Sequence, residues 1–153
     1  MVLSGRRHGQ APNVAVCTEF VVPIALERDH RRRLLTVRLT GVLTLREALD
    51  LLRTATADPA VDTWPLIFDA RGATTDMTPE DVESAVATVA EIHRTSTVPR
   101  GHVAIIADDD QLYVRMLLYE TCLSDIGIRS VRAFRQPEAA ERWLDIMHAA
   151  RNF

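Results

Sequence analysis

Cysteine and glycine are scarce in this sequence, and both shortages argue against whole classes of protein. The 153-residue chain has two cysteines, Cys17 and Cys122, which form no CxxC pair and have no histidine at metal-ligand spacing. A disulfide scaffold and a zinc site are therefore unsupported, and we interpret both cysteines as inert thiols of a reducing compartment. With six glycines, phosphate-cradling loops are scarce, and the motifs GxxxxGK(S/T), GxGxxG and GxSxG do not occur.

Long hydrophobic runs and lysine are both missing. No stretch approaches the ~18 apolar residues of a transmembrane helix, and residues 1–16 lack the apolar run of a signal peptide. We therefore expect no membrane insertion and a cytoplasmic location. All 18 basic residues are arginine, which we interpret as a compositional bias of the source. The net charge of −3 gives no case for nucleic-acid binding.

Length and composition fit one folded domain. The apolar fraction of 47% and the charged fraction of 25% are ordinary for a globular protein. A chain of this length buries enough surface to fold without a disulfide or a metal. We expect a flexible arm over residues 1–18 and a single α/β domain over residues 19–153.

Five apolar runs have the length and pattern of β-strands. The first contains Pro23, which favours an edge position, and a polar turn at residues 27–32 joins it to the second as an antiparallel hairpin. The third and fourth are almost continuously apolar, which favours central parallel strands. The runs are Phe20–Leu26, Leu34–Leu39 (ended by Gly41), Pro65–Ala70, His102–Ala107 and Arg129–Phe134.

Helix-start signals separate these runs. Thr44 with Glu47 has capping-box form, and Thr78 followed by Pro79 is a typical N-cap and first helical residue. Acidic residues at 108–110 suit the N-terminus of a third helix. Gly127 is expected to end that helix. The helices run from Thr44 to about Ala57, from Thr78 to a loop at Thr95–Arg100, from Asp108 to about Ile126 and from Pro137 onward, and Arg71–Met77 is predicted as a loop.

The resulting element order is β-β-α-β-α-β-α-β-α. Strands that alternate with helices imply a parallel sheet with right-handed crossovers. The predicted fold is therefore α/β: a five-stranded mixed, mainly parallel sheet with one antiparallel edge strand, covered by four helices.

This order, together with several local phrases, resembles the STAS-type fold of bacterial anti-sigma factor antagonists and of the cytoplasmic domain of sulfate transporters. It resembles more closely an uncharacterised group of small bacterial proteins with that fold, distantly related in shape to SEC14-type lipid-binding domains. The likeness spans roughly Phe20 to Met147. The phrases are Leu39–Thr44, Leu66–Gly72, Val103–Ala107, Arg115-Met116 with Tyr119-Glu120, and Phe134-Arg135 with Ala139 and Trp143-Leu144.

The resemblance implies a regulatory loop after the third of these strands. In the antagonists, a hydroxyl in an Asp-Ser/Thr-Ser-Gly phrase is phosphorylated by the partner kinase. Here Asp76 and Thr78 fall near those places, but the Ser-Gly is missing and Pro79 follows Thr78. A plain helix cap at Thr78 is the alternative. The candidate partner-binding or regulatory residues are Thr74, Thr75, Asp76, Thr78, Glu80 and Asp81.

The helix from Leu112 to Ile126 carries more apolar residues than one buried face requires. The surplus is consistent with a dimer contact or with the lining of a ligand pocket, and deep burial is the alternative. The candidate residues for such a surface are Tyr113, Met116, Leu117 and Tyr119.

Other clusters point to no catalytic or metal site. Asp108–Asp110 follow the end of a strand and point in different directions, which fits a helix cap better than a cation site. Arg31–Arg33 lie in a turn beside acidic residues, which fits a solvated surface.

These patterns favour a non-enzymatic protein without a cofactor. The STAS-like resemblance implies a protein-interaction or regulatory module in bacterial signalling, whose partner is another protein or a second copy of this chain. The alternative is a small apolar, lipid-like ligand, which needs a concave pocket of roughly 300 Å³ or more.

Overall fold

The computed structural model describes residues 24–55, 63–96 and 101–151. Several predictions fall outside the described residues. These are the N-terminal arm at 1–18 with Cys17, the beginning of the first strand at 20–23, the end of the first helix at Ala57 and part of the Thr95–Arg100 loop. The strands are β1 (Ile24–Asp29), β2 (Leu34–Leu39), β3 (Gly41–Leu43), β4 (Leu66–Asp69), β5 (Ala73–Thr75), β6 (Val103–Ile106) and β7 (Val131–Phe134). The helices are α1 (Leu45–Ala55), α2 (Pro79–Thr95), α3 (Asp110–Asp125) and α4 (Pro137–Arg151).

The main sheet has the predicted architecture. Its five strands lie in the order β1-β2-β4-β6-β7. The β1–β2 pair is antiparallel, and every other pair in this sheet is parallel. The predicted fold class, a mixed, mainly parallel sheet with an antiparallel edge and four helices, is therefore confirmed.

A small second sheet departs from the sequence prediction. Strands β3 and β5 pair in parallel, with Gly41 opposite Ala73 and Leu43 opposite Thr75. Gly41 therefore begins a strand, and the expected loop at Arg71–Met77 is wrong over its middle. Strands of three residues are too short to show an alternating pattern, so this pairing leaves no signal in the sequence.

The first hairpin also differs in its details. β1 continues to Asp29 and pairs with β2 through Glu27, Arg28 and Asp29, where the sequence predicted a polar turn. These side chains are exposed, and an edge strand tolerates charged side chains because its backbone hydrogen bonds do not depend on them.

Helices cover the two faces of the sheet unequally. Along β2, the side chains of Leu35, Val37 and Leu39 face α1, α2 and α3. Leu34 faces the other side, where Trp143 and Leu144 of α4 complete a second and smaller core. Three helices therefore pack on one face and one helix on the other.

The helix boundaries follow the predicted caps. Thr44 and Glu47 form their capping box, in which the Glu47 carboxylate accepts from the Thr44 amide at 3.2 Å and the Thr44 hydroxyl accepts from the Glu47 amide at 3.3 Å. Asp109 caps α3 by accepting from the Leu112 amide at 2.9 Å. Gly127 follows α3 with φ +89°, the left-handed conformation that favours glycine after a helix.

Candidate functional site

A cavity of about 160 Å³, partly open to solvent, lies between the main sheet and helices α1, α2 and α3. The strands contribute side chains such as Val37, Phe68 and Ile105, and the helices contribute others such as Ala85 and Val89. Protein interiors rarely contain voids much larger than a water molecule. This volume is therefore a feature that needs an explanation.

Small residues account for part of this space. Ala48 of α1 and Ala85 of α2 line the cavity where longer side chains could have filled it. Gly101 lines it as well, and a Cβ added there would lie 1.9 Å from the carbonyl oxygen of Trp64. Only glycine permits this close approach of two backbone segments, so the wall at Gly101 carries no side chain.

Tyr119 is the buried polar residue of the cavity. Its side chain lines the space and the residue is 8% exposed. Among the described residues its hydroxyl has no hydrogen-bond partner, although a buried tyrosine hydroxyl usually finds one. Burial alone raises the pKa of Tyr119 well above its ordinary value, so the hydroxyl stays protonated and can donate.

Two further polar side chains, those of His93 and Ser130, line the cavity. Ser130 directly precedes β7, and Gly101 lies just before β6. Both therefore lie at the end of the sheet where β4, β6 and β7 begin. His93 lies near the end of α2, and its Nδ1 is 3.2 Å from the Val89 carbonyl oxygen. Because a carbonyl can only accept, a hydrogen bond between these two atoms needs a proton on Nδ1.

The predicted regulatory residues run from β5 through the turn after it into the start of α2, at the opposite end of the sheet. Thr74, Asp76, Thr78 and Glu80 are exposed. Thr78 caps α2 in a complete capping box: its hydroxyl accepts from the Asp81 amide at 3.1 Å, and the Asp81 carboxylate accepts from the Thr78 amide at 3.0 Å. The cap proposed as the alternative for Thr78 is present.

Thr75 differs from its neighbours because its hydroxyl is buried. It donates to the Leu43 carbonyl at 2.7 Å and accepts from the Met77 amide at 3.0 Å. The candidate hydroxyl at Thr75 is therefore used inside the protein and is not presented at the surface.

Met77 connects this turn to the cavity. Its side chain is 2% exposed and lines the cavity, together with Leu43. Its backbone is held on both sides, because its carbonyl accepts from Arg115 Nε at 2.7 Å and its amide donates to Thr75. Met77 therefore lies in the cavity wall while its chain neighbours, Asp76 and Thr78, are exposed in the turn.

The candidate residues of α3 separate into two groups. Met116 and Tyr119 are buried and line the cavity. Tyr113 lies under the guanidinium of Arg135, 4.6 Å from its ring centre, and Leu117 is 37% exposed. The surplus of apolar residues is explained by the cavity on one side and by a partly exposed face on the other.

A charged cluster on the α4 side of the sheet was not singled out from the sequence. The buried Asp69 carboxylate accepts from Arg71 Nε at 2.9 Å and from a second Arg71 nitrogen at 2.7 Å. Arg38 lies 3.8 Å from the same carboxylate. The side-chain hydrogen bonds from Arg71 hold the pKa of Asp69 below its ordinary value. The Asp-x-Arg spacing was the available signal.

The acidic run at 108–110 does not converge on a cation. Asp109 caps α3, Asp108 accepts from the Gly72 amide at 3.0 Å, and Asp110 pairs with Arg135. Across residues 24–55, 63–96 and 101–151, no group of three or more His, Cys, Asp and Glu side chains could hold a metal ion. Over the same ranges, no helix is long and apolar enough to cross a membrane.

Comparison with known proteins gives a likeness to solved structures. No protein-family model matches the chain, and no curated protein matches it. Among solved structures, it is similar to an uncharacterised protein of the DUF3478 family from Shewanella loihica, described as having a SpoIIAA-like fold. The two share 15% sequence identity over 89% of this chain and 99% of that one, with a TM-score of 0.46.

Proposed function

We propose that this protein is a non-enzymatic regulatory module that binds a small, largely apolar molecule in the cavity beneath α1, α2 and α3. The observation that carries the proposal is the 160 Å³ cavity itself. It is smaller than the roughly 300 Å³ of a typical ligand pocket. A comparable cavity of about 150 Å³ in another protein binds benzene, so the volume suits a ring of about that size.

The energetic cost of the cavity supports a role in binding. Unfilled apolar volume costs roughly 24 cal/mol per Å³, so a cavity of this size forgoes up to about 4 kcal/mol of packing. Folded domains are stable by only about 5–15 kcal/mol. A ligand that occupied the space would recover part of that loss.

Binding fits the polar groups of the cavity better than catalysis does. His93 and Ser130 line the same space, but within the described part of the chain no hydrogen bond joins them, as a nucleophile and its base would require. The raised pKa of Tyr119 keeps its hydroxyl neutral, which suits a hydrogen-bond donor better than a proton-transfer group.

Methionine methyl groups allow a direct test. Met77 and Met116 line the cavity, whereas Met147 packs against the second core on the opposite face. The protein carrying ¹³C-methyl methionine is titrated with methylenecyclohexane, a seven-carbon hydrocarbon. We expect saturable shifts of the Met77 and Met116 signals and none of the Met147 signal.

A pair of substitutions on α2 supplies the control. Ala85 lines the cavity and Ala87, two residues further on, is exposed. A85L should fill the space and abolish the methyl shifts, whereas A87L should bind like the unsubstituted protein. Equal shifts in A85L and A87L, or no shifts in the unsubstituted protein, would contradict the proposal.

A second candidate function is docking of a partner protein at the turn that carries Thr74, Asp76 and Glu80. The turn is exposed yet held in place by the Thr75 hydrogen bonds, the α2 capping box and Arg115. A rigid surface of this kind loses little conformational freedom when it binds. If T74A/D76A/E80A retains every partner of the unsubstituted protein with unchanged affinity, this candidate fails.

A further inference from the structure

The ligand proposed above must satisfy the chemistry of the cavity wall as well as its volume. Tyr119 is the key group, because its hydroxyl is buried in the wall and finds no acceptor within the described residues. A buried donor without a partner costs free energy. The Tyr119 hydroxyl therefore lacks a hydrogen-bond acceptor within the described residues, and a ligand in the cavity could supply one.

The charge of the ligand is limited by the same wall. Among the described residues, the side chains that line the cavity include no aspartate, glutamate or arginine, and His93 is the one that can become cationic. A carboxylate or phosphate placed there would lose its hydration, and a neutral His93 would supply no counter-charge, which is strongly unfavourable. An ammonium group would meet the same cost, so the ligand that fits is uncharged.

We infer that the ligand is a small neutral molecule with an apolar body and one oxygen acceptor, such as a cyclic or short-chain ketone, aldehyde or ester, which accepts a hydrogen bond from the Tyr119 hydroxyl. This inference rests on the proposed function and assigns the chemical class of its ligand. Tyr119 is the residue that selects the oxygen-bearing ligand over a hydrocarbon of the same shape.

A matched pair of probes tests this assignment. Cyclohexanone and methylenecyclohexane have nearly the same shape and differ in whether an oxygen or a CH₂ group is doubly bonded to the ring. Binding of each is measured by the Met77 and Met116 methyl shifts in the unsubstituted protein, in Y119F and in Y113F. The chain has two tyrosines, and Tyr113 is the control because it does not line the cavity.

We expect Y119F to weaken cyclohexanone binding about three- to ten-fold, the range for loss of one neutral hydrogen bond. Methylenecyclohexane should bind Y119F and the unsubstituted protein equally to within about two-fold, because it offers no acceptor. Y113F should bind both probes as the unsubstituted protein does.

The outcomes separate failure of this inference from failure of the proposed function. If methylenecyclohexane binds and cyclohexanone does not, the cavity takes ligands but the assigned acceptor is wrong. If Y119F binds cyclohexanone undiminished, the hydroxyl is satisfied by water and the inference is overturned. If neither probe shifts Met77 or Met116, the proposed function and this inference fail together.

Discussion

Two buried hydroxyls of this protein, those of Thr75 and Tyr119, have opposite environments. The Thr75 hydroxyl donates to Leu43 at 2.7 Å and accepts from Met77 at 3.0 Å. The Tyr119 hydroxyl does neither within the described residues. Because removal of a hydroxyl that has partners leaves those partners unsatisfied, the two residues should respond differently to loss of their oxygen.

Substitution of Thr75 by valine should lower the free energy of unfolding by about 1–3 kcal/mol, because the Leu43 carbonyl and the Met77 amide would be left buried without a partner. T74V is the control, since Thr74 neighbours Thr75 but is exposed, and it should change stability by less than about 0.5 kcal/mol. Urea unfolding measures both values. Equal effects of T75V and T74V would show that the buried hydroxyl contributes nothing.

Because of Asp69, the stability of the protein should depend on pH in the acidic range. Its folded-state pKa lies below the ordinary 3.8, chiefly because Arg71 donates to the carboxylate. Its contribution is therefore present above that ordinary value and is lost as the pH falls through the folded-state pKa.

We expect D69N to be destabilised by about 1–3 kcal/mol at neutral pH. The difference between D69N and the unsubstituted protein should shrink as the pH falls below about 4. Urea unfolding across that range gives the measurement, and D145N, at an exposed carboxylate on α4, controls for the loss of one negative charge. If the difference in unfolding free energy stays constant down to acid pH, the Arg71 contacts do not stabilise the ionised Asp69 carboxylate.

At the scale of secondary-structure elements, the start of α2 has a capping box of its own. The Thr78 hydroxyl accepts a hydrogen bond from the Asp81 amide, and the Asp81 carboxylate accepts one from the Thr78 amide. This arrangement satisfies two amides that have no partner inside the helix.

T78A should therefore lower the free energy of unfolding by about 1 kcal/mol, while T78S, which keeps the oxygen, should restore most of it. Thermal unfolding followed by circular dichroism compares the two variants. A T78S variant as unstable as T78A would mean that the Thr78 methyl group, and not its hydroxyl, stabilises the helix start.

The elements also show what the sequence could and could not predict. β2 was predicted with its observed bounds, Leu34–Leu39, because six residues suffice to show alternation. β3 and β5 were missed because each has three residues and is defined only by its partner. Met116 and Tyr119 were candidates for a dimer or ligand surface because their helix carries more apolar residues than one buried face requires. That they line one cavity with His93 and Ser130 depends on three helices packing on one sheet. No local pattern contains that information.

At the scale of the whole molecule, the three-helix face holds the larger of the two cores. The cavity of about 160 Å³ lies there. The α4 face is a smaller, separate core in which Ala104 and Ala140 are fully buried.

Filling the cavity should stabilise the molecule. A85L is expected to raise the free energy of unfolding by about 0.5–2 kcal/mol relative to A87L, the usual gain from a cavity-filling substitution. Chemical denaturation of both variants gives the comparison. Destabilisation of A85L relative to A87L would indicate that the surrounding side chains leave no usable space for a leucine.

If a ligand occupies the cavity and a partner docks on the turn, Met77 would couple the two binding equilibria. Its side chain belongs to the cavity wall, and its backbone belongs to the turn between Asp76 and Thr78. A ligand that changes the position of Met77 therefore changes the surface that a partner would meet. Linkage requires reciprocity: the factor by which the ligand alters partner affinity is the factor by which the partner alters ligand affinity. Measuring either one determines the other.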